Sequence, residues 1–90
     1  MYFLSVNHLK EDADGVRIGE VIPLHIEWTR RLIAEGKVAQ AGKWGEAGGM
    51  AILRADGLEE AEAILRGDPL IAAGLVDHET AELFQDVAMD

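Results

Sequence analysis

Ninety residues make one domain with one modest core, and at this length the surface-to-volume ratio leaves burial marginal, so a partner subunit is expected. The formal charge of −9, from 17 acidic and 8 basic side chains, repels a phosphate backbone and argues against nucleic acid or an anionic membrane as partner. The absence of cysteine excludes disulfides, thiolate catalysis and cysteine-rich zinc sites, and fits a reducing cytoplasm.

Hydrophobic residues are 49% of the chain and no Pro/Ser/Gln-rich tract interrupts them, so residues 1–90 are expected to form a single folded domain. No repeat or linker is visible. The N-terminus, Met1-Tyr2-Phe3-Leu4-Ser5-Val6, lacks the basic region of a signal peptide, and no apolar run approaches the roughly 20 residues that span a bilayer. A soluble, cytoplasmic protein is expected.

Tyr2 to Leu9 is rich in aromatic and β-branched residues. Tyr2, Leu4, Val6 and His8 fall on one face and Phe3, Ser5, Asn7 and Leu9 on the other, which suits a strand partly covered on both sides. Lys10 to Gly15 is charged and aperiodic and reads as a loop. Val16 to Val21 stays open between loop and an extra helical turn, since Gly19 and Pro23 argue against a continuous helix while Pro23 suits a first turn. A helix is predicted from Ile22 to a glycine cap at Gly36. Ile22, Ile26, Leu32 and Ile33 form its buried stripe, with Thr29 between them and His25 beside Ile26. Glu27, Arg30, Arg31 and Glu35 face water.

Lys37 to Trp44 alternates and predicts a second strand, Gly45 to Gly49 a glycine-dense hairpin turn, and Met50 to Ala55 a third strand. Asp56 with Glu59 three positions on has the form of a capping box, opening a second helix whose buried stripe is Leu58, Ala61, Ile64 and Leu65 and which stops at Gly67. Asp68-Pro69 is an N-cap and first-turn pair for a short helical piece over Pro69 to Ala73, closed by Gly74. Leu75 to Leu83 is the fourth strand.

This order, β-α-β-β-α-β, predicts an α+β, ferredoxin-like subunit: a four-stranded antiparallel sheet with two helices on one face. Its other face is left bare. Apolar residues on both parities of strand 1 predict that a second copy covers it, giving a homodimer.

The chemistry-bearing residues are few. His25 reads either as a core histidine with a structural hydrogen bond or as a general base, and Asp68 either as a cap or as that base's partner. Together they are stronger, because the Gly67-Asp68-Pro69 elbow ends the second helix on the same sheet face. An aspartate there would accept a proton from one imidazole nitrogen, fix the tautomer and leave the other nitrogen free. A competing metal constellation would use His8, Asp77 and His78, brought together by pairing of strands 1 and 4, although no short ligand spacing supports it. Arg17 reads as a loop cation for an anionic or enolic oxygen, or as a solvated residue paired with Glu20. Trp44 reads as a lid over a planar substrate, or as filler of a dimer core. No phosphate loop, nucleophile elbow or dinucleotide fingerprint is present, and no cofactor is expected.

These residues resemble the YciI-like (YCII-related) proteins of the dimeric α+β barrel group. The resemblance runs through Arg17, Pro23-Leu24-His25, Leu32 to Gly36, Gly42, the acidic helix Leu58 to Leu65, and Asp68-Pro69-Leu70-Ile71-Ala72-Ala73-Gly74-Leu75. It implies dimerisation through the sheet and a His–Asp dyad at the active site, carried here by His25 and Asp68 with Pro69 orienting the aspartate. Where chemistry is known in the family it is dehydrochlorination of a chlorinated hydroxyquinol. There the dyad abstracts a proton while an arginine and a hydroxyl steady the oxyanion. This chain departs from that pattern at Asn7-His8-Leu9, where an aspartate is common, and at Gly49, where the serine would stand; Arg17 is retained, one residue farther from His25.

Two readings follow: a lyase- or isomerase-type enzyme acting on a small planar or carbonyl-bearing substrate, or a non-catalytic dimer, binding or structural, whose dyad is a buried hydrogen bond. In the first, Arg17, Trp44 and Gly49 line the substrate site.

Overall fold

The computed structural model describes residues 1–84; residues 85–90, part of the domain expected over 1–90, lie outside the described residues. Seven elements follow one another: β1 (Tyr2–Leu9), α1 (Gly15–Ala34), β2 (Val38–Lys43), β3 (Gly48–Arg54), α2 (Leu58–Leu65), α3 (Pro69–Ala72) and β4 (Val76–Leu83). The strands form one antiparallel sheet in the order β2-β3-β1-β4, with β1 paired to both β3 and β4. This is the ferredoxin-like arrangement that the alternation of elements predicts.

The alternation within β1 divides the sheet into two unlike faces. Phe3 is fully buried against Leu53 and Val38 of the neighbouring strands, Trp28 and Leu32 of α1, and Ala61 and Leu65 of α2, so both long helices cover the face that carries the odd residues of β1. A second cluster, Val21, Leu70, Leu75 and Val76, closes the other end of that face, and Ile71 touches both clusters. The opposite face presents Tyr2, Leu4 and Val6 beside Met50, Ile52, Ala81 and Leu83, and no described element covers it.

Helix α1 begins seven residues earlier than the sequence predicts. Asp14, in extended backbone, accepts a hydrogen bond from the Val16 amide at 2.9 Å and caps the first turn. Gly19 and Pro23 are both accommodated inside the helix, although the proline removes the hydrogen bond that the Gly19 carbonyl would receive. Packing explains the override: Val21 is buried in the second cluster, with Ile18 and Ile22 against it.

Of the predicted stripe Leu32 is buried as expected, and the rest is displaced by one position. Val21, Trp28 and Leu32 are buried, and His25 lies in register with them at helical spacing, whereas Ile26 and Ile33 are 43% and 49% exposed. The large indole of Trp28 claims the core, and the isoleucine stripe is turned aside.

The capping box is shifted too. Gly57, not Asp56, is the N-cap of α2 and offers no side-chain bond, and Glu60, not Glu59, reaches back to the Asp56 amide at 3.2 Å. The cap at Gly36 is as predicted, in left-handed backbone with φ of 78°.

The β2–β3 hairpin depends on close backbone approach. A Cβ on Gly48 would stand 2.5 Å from the Asn7 carbonyl oxygen and 2.6 Å from that of Trp44, so no larger residue fits without moving backbone. Gly48→Ala is accordingly expected to destabilise by about 1–3 kcal/mol, as overpacking does. Gly19→Ala, in open space on α1, is expected to stabilise by roughly 0.5–1 kcal/mol. Urea unfolding of both variants beside the parent checks the opposite signs.

Candidate active site

Three features of the chain place Asp68. Helix α2 ends at Leu65, the turn is closed by the Asp68 amide donating to the Leu65 carbonyl at 2.9 Å, and Pro69 starts α3. A residue before proline is held out of the helical region, and Asp68 has φ −67° and ψ 121°. Its carboxylate therefore turns back over the first turn of α3, where Oδ1 accepts from the Leu70 amide at 2.9 Å. Gly67 lets the elbow come close to α1, since a Cβ there would meet Trp28 Nε1 at 3.2 Å.

The same Oδ1 lies 2.7 Å from Nδ1 of His25 on α1. Asp68 is only 2% exposed, and a carboxylate removed from water needs donors around it. Because a carboxylate accepts and does not donate, the proton of this bond is assigned to Nδ1, which leaves Nε2 as the bare nitrogen of the neutral ring. The ring is held from a second side by Trp28, whose centroid lies 6.1 Å away with the planes inclined at 30°. Thr29 anchors the backbone beneath it, its hydroxyl donating to the His25 carbonyl at 2.9 Å.

His25 borders a cleft of about 600 Å³ between α1 and the β2–β3 hairpin, a size suited to a small organic molecule. Its helical wall is the displaced stripe Ile22, Ile26 and Ile33; its floor includes Ser5, Asn7, Ala51 and Gly49 from the sheet. Asp68 reaches the cleft at its inner end.

The residues singled out from sequence are thus distributed unevenly. His25, Asp68 and Gly49 come together at the cleft, and Pro69 orients Asp68 from behind. Arg17 stands in the first turn of α1 and not in a loop, 3.4 Å from Glu20 at the surface, and does not border the cleft. Trp44 is 50% exposed just beyond β2 and does not border it either. His8 faces Asp77 across β1 and β4, but His78 pairs with Asn7 and so belongs to the opposite face. Among the described residues no group of three His, Cys, Asp or Glu is arranged to hold a metal ion.

Most lining residues escaped prediction as site residues, Asn7, Arg30 and Lys43 among them. Lys43 is the instructive one. A β-bulge between Val38 and Gln40 shifts the register of β2, so Val38, Ala41 and Lys43 oppose Leu53, Ala51 and Gly49 on the helix side. Without that extra residue Lys43 would face away.

Fold and site together define a small ferredoxin-like α+β protein with an anchored histidine at an internal cleft. The chain belongs to the YCII-related family, whose domain model matches residues 1–84. It is 43% identical over 51 residues to the uncharacterized protein YjpA of Bacillus subtilis (strain 168), an alignment covering 56% of this chain and 60% of that protein. In structure it resembles 5-chloro-2-hydroxyhydroquinone dehydrochlorinase (TftG) from Burkholderia phenoliruptrix AC1100, solved in complex with 2,5-dihydroxybenzoquinone, with a TM-score of 0.76 and 21% identity over 93% of this chain and 94% of that one. It also resembles muconolactone isomerase, with a TM-score of 0.78 and 20% identity over 100% and 98% of the two chains. At these identities the likeness is one of fold.

Asp68 both caps α3 and receives the histidine proton, and substitution separates the two roles. Asp68→Ala is expected to lose about 1–3 kcal/mol, from the cap and from the orphaned ring donor. Asp68→Asn keeps an acceptor oxygen for the Leu70 amide and is expected to lose less. Denaturant midpoints of the two variants give the order.

Proposed function

We propose that this protein is an enzyme in which His25, anchored by Asp68, is the general base toward a small planar or carbonyl-bearing molecule held in the cleft. The observation that carries this reading is the 2.7 Å bond from His25 Nδ1 to a buried carboxylate, which leaves Nε2 as the ring nitrogen available to an occupant. Asp68 holds the ring in one tautomer and orientation and stabilises the imidazolium that forms when Nε2 takes a proton.

The chemistry is a proton abstraction next to a carbonyl or from a ring hydroxyl. Nε2 takes the proton, and the electron pair left behind comes to rest on oxygen, as an enolate when carbon is deprotonated and as a phenolate when the hydroxyl is. Two outcomes conserve atoms and charge. The pair returns to expel a leaving group such as chloride, a lyase step, or the imidazolium returns the proton at another carbon, an isomerisation. A dehydrochlorinase and an isomerase share this fold, which supports both outcomes without choosing between them. Arg17, paired with Glu20 away from the cleft, takes no part in this reading.

The working unit of this proposal is a homodimer. The helix-free sheet face carries Leu4, Val6, Met50 and Ile52 at its centre, and Tyr2 and Leu83 remain 45% exposed there. A second copy laid on this face would bury what a 90-residue chain leaves open.

Two experiments test these statements. Small acids, lactones and hydroxyquinones are screened for turnover, and His25→Ala is expected to lower the rate on any accepted compound by a factor on the order of 10²–10⁴ while keeping the circular dichroism of the parent. Undiminished turnover would leave the dyad as a structural lock between α1 and α3. Separately, sedimentation is expected to give twice the 9.8 kDa chain mass, and Ile52→Glu to give the single chain.

A further inference from the structure

The cleft floor carries a row that the proposed base does not account for. Register places Asn7 of β1, Gly49 of β3 and Lys43 of β2 opposite one another across three strands, all on the helix side. Gly49 has no side chain, and the Asn7 amide leans over it: a Cβ at that position would lie 3.3 Å from Asn7 Oδ1 and 3.5 Å from Nδ2. The Asn7 amide thus takes up the room that a side chain at Gly49 would need, and Lys43 follows on the next strand.

Charge sharpens the contrast. The chain carries 17 acidic and 8 basic side chains, yet the cleft is bordered by two carboxylates, Asp68 and Glu46, and two cations, Lys43 and Arg30. Asp68 is engaged with His25. Neither Lys43 nor Arg30 forms an ion pair within 4.0 Å among the described residues, Glu46 included. The two carboxylates and two cations bordering the cleft cancel, leaving a neutral site within a protein of net charge −9. An anion meets less repulsion there than over the rest of the surface, and the two cations, unpaired among the described residues, stand ready to receive it. The bulge in β2 is what delivers one of them, because Lys43 reaches the helix side only through that extra residue.

Resting on the general-base reading above, we propose that the substrate is anionic: a small planar carboxylate whose acid group lies between the Lys43 ammonium and the Asn7 amide over Gly49, with its ring extending toward His25. The ammonium supplies charge-assisted hydrogen bonds, and the neutral amide donates one more through Nδ2. An aspartate at position 7 would instead neutralise Lys43 internally and leave nothing for an incoming acid, so asparagine here sets the specificity.

The test compares 2,5-dihydroxybenzoate with 2,5-dihydroxybenzamide, which share ring and hydroxyls and differ in charge. Binding to the intact protein is measured by calorimetry and by the ring resonances of His25. The carboxylate is expected to bind about two- to fivefold more tightly than the amide at low salt, the scale of an exposed ion pair, with the ratio shrinking as salt rises. Lys43→Gln and Asn7→Asp should each abolish the preference, and Lys43→Arg should restore most of it. Equal affinity of the two compounds, or a preference that survives Lys43→Gln, overturns the anionic assignment. If the amide still shifts the His25 resonances in that case, the general-base reading stands without it. Failure of both compounds to bind, or binding that leaves His25 untouched, overturns both.

Discussion

The burial of one carboxylate organises this molecule. Asp68 is the one buried ionisable side chain among the described residues, and an unpartnered carboxylate in that position would cost several kcal/mol or protonate. It is tolerated because Oδ1 receives the Leu70 amide and the His25 ring together. That bond also lies at the seam of the two hydrophobic clusters. On α1, His25 falls between Val21 of one cluster and Trp28 of the other; past α2, Asp68 falls between Leu65 and Leu70. A polar pair at a seam keeps the helices in one relative setting, where apolar side chains alone would allow sliding. The same setting holds the imidazole still. Stability and a fixed ring orientation thus come from one contact.

Helix α1 serves two neighbours with two adjacent stripes. Val21, His25, Trp28 and Leu32 face the core, while Ile22, Ile26 and Ile33, one position on, form the wall of the cleft. This explains why isoleucines stay half exposed in a chain that buries a tryptophan. The cleft exists because the second stripe is not covered by the sheet: the hairpin beneath it is rich in glycine, and Gly49, on the helix side, withholds a side chain that would rise into the space. A concave site in so small a fold requires such omissions, since close packing otherwise closes any void of this size.

Much of this was legible in the chain. The limits of β1, the Gly36 cap and the Asp68-Pro69 turn follow from local chemistry. In contrast, β3 starts two residues before the predicted Met50, because Gly48 and Gly49, expected in the hairpin turn, pair with His8 and Asn7. The start of α1 was not legible either, because Gly19 and Pro23 oppose a helix locally and are overruled by Val21, Ile18 and Ile22 packing at a distance. Apart from Leu32, the stripe was misplaced by one position for a related reason: periodicity accepts either set of residues, and only the volume of Trp28 against Phe3 and Leu65 selects one. Of the site, His25 and Asp68 could be paired because both sit at marked positions, a polar residue beside an apolar stripe and a cap before proline. Arg17 and Trp44 fit the chemistry as residue types and lie away from the cleft. Lys43 was invisible, because nothing in Val38 to Lys43 announces a bulge, and without it simple alternation aims that side chain at the wrong face.

The alternation in β1 ties the two halves of the structure together. Its odd residues, Phe3, Ser5 and Asn7, run from the core to the cleft floor, while its even residues, Leu4 and Val6, make the centre of the uncovered face. A slip of one residue against β3 would exchange the two sets, bringing Val6 toward His25 and exposing Phe3. The register that makes the cleft polar at Asn7 is therefore the register that makes the opposite face apolar. β1 pairs on both edges, with β3 and with β4, so two ladders enforce it at once. Placing the cleft floor on the most constrained strand of the sheet, opposite a histidine fixed by a buried carboxylate, holds both walls of the cleft without any element devoted to that purpose alone.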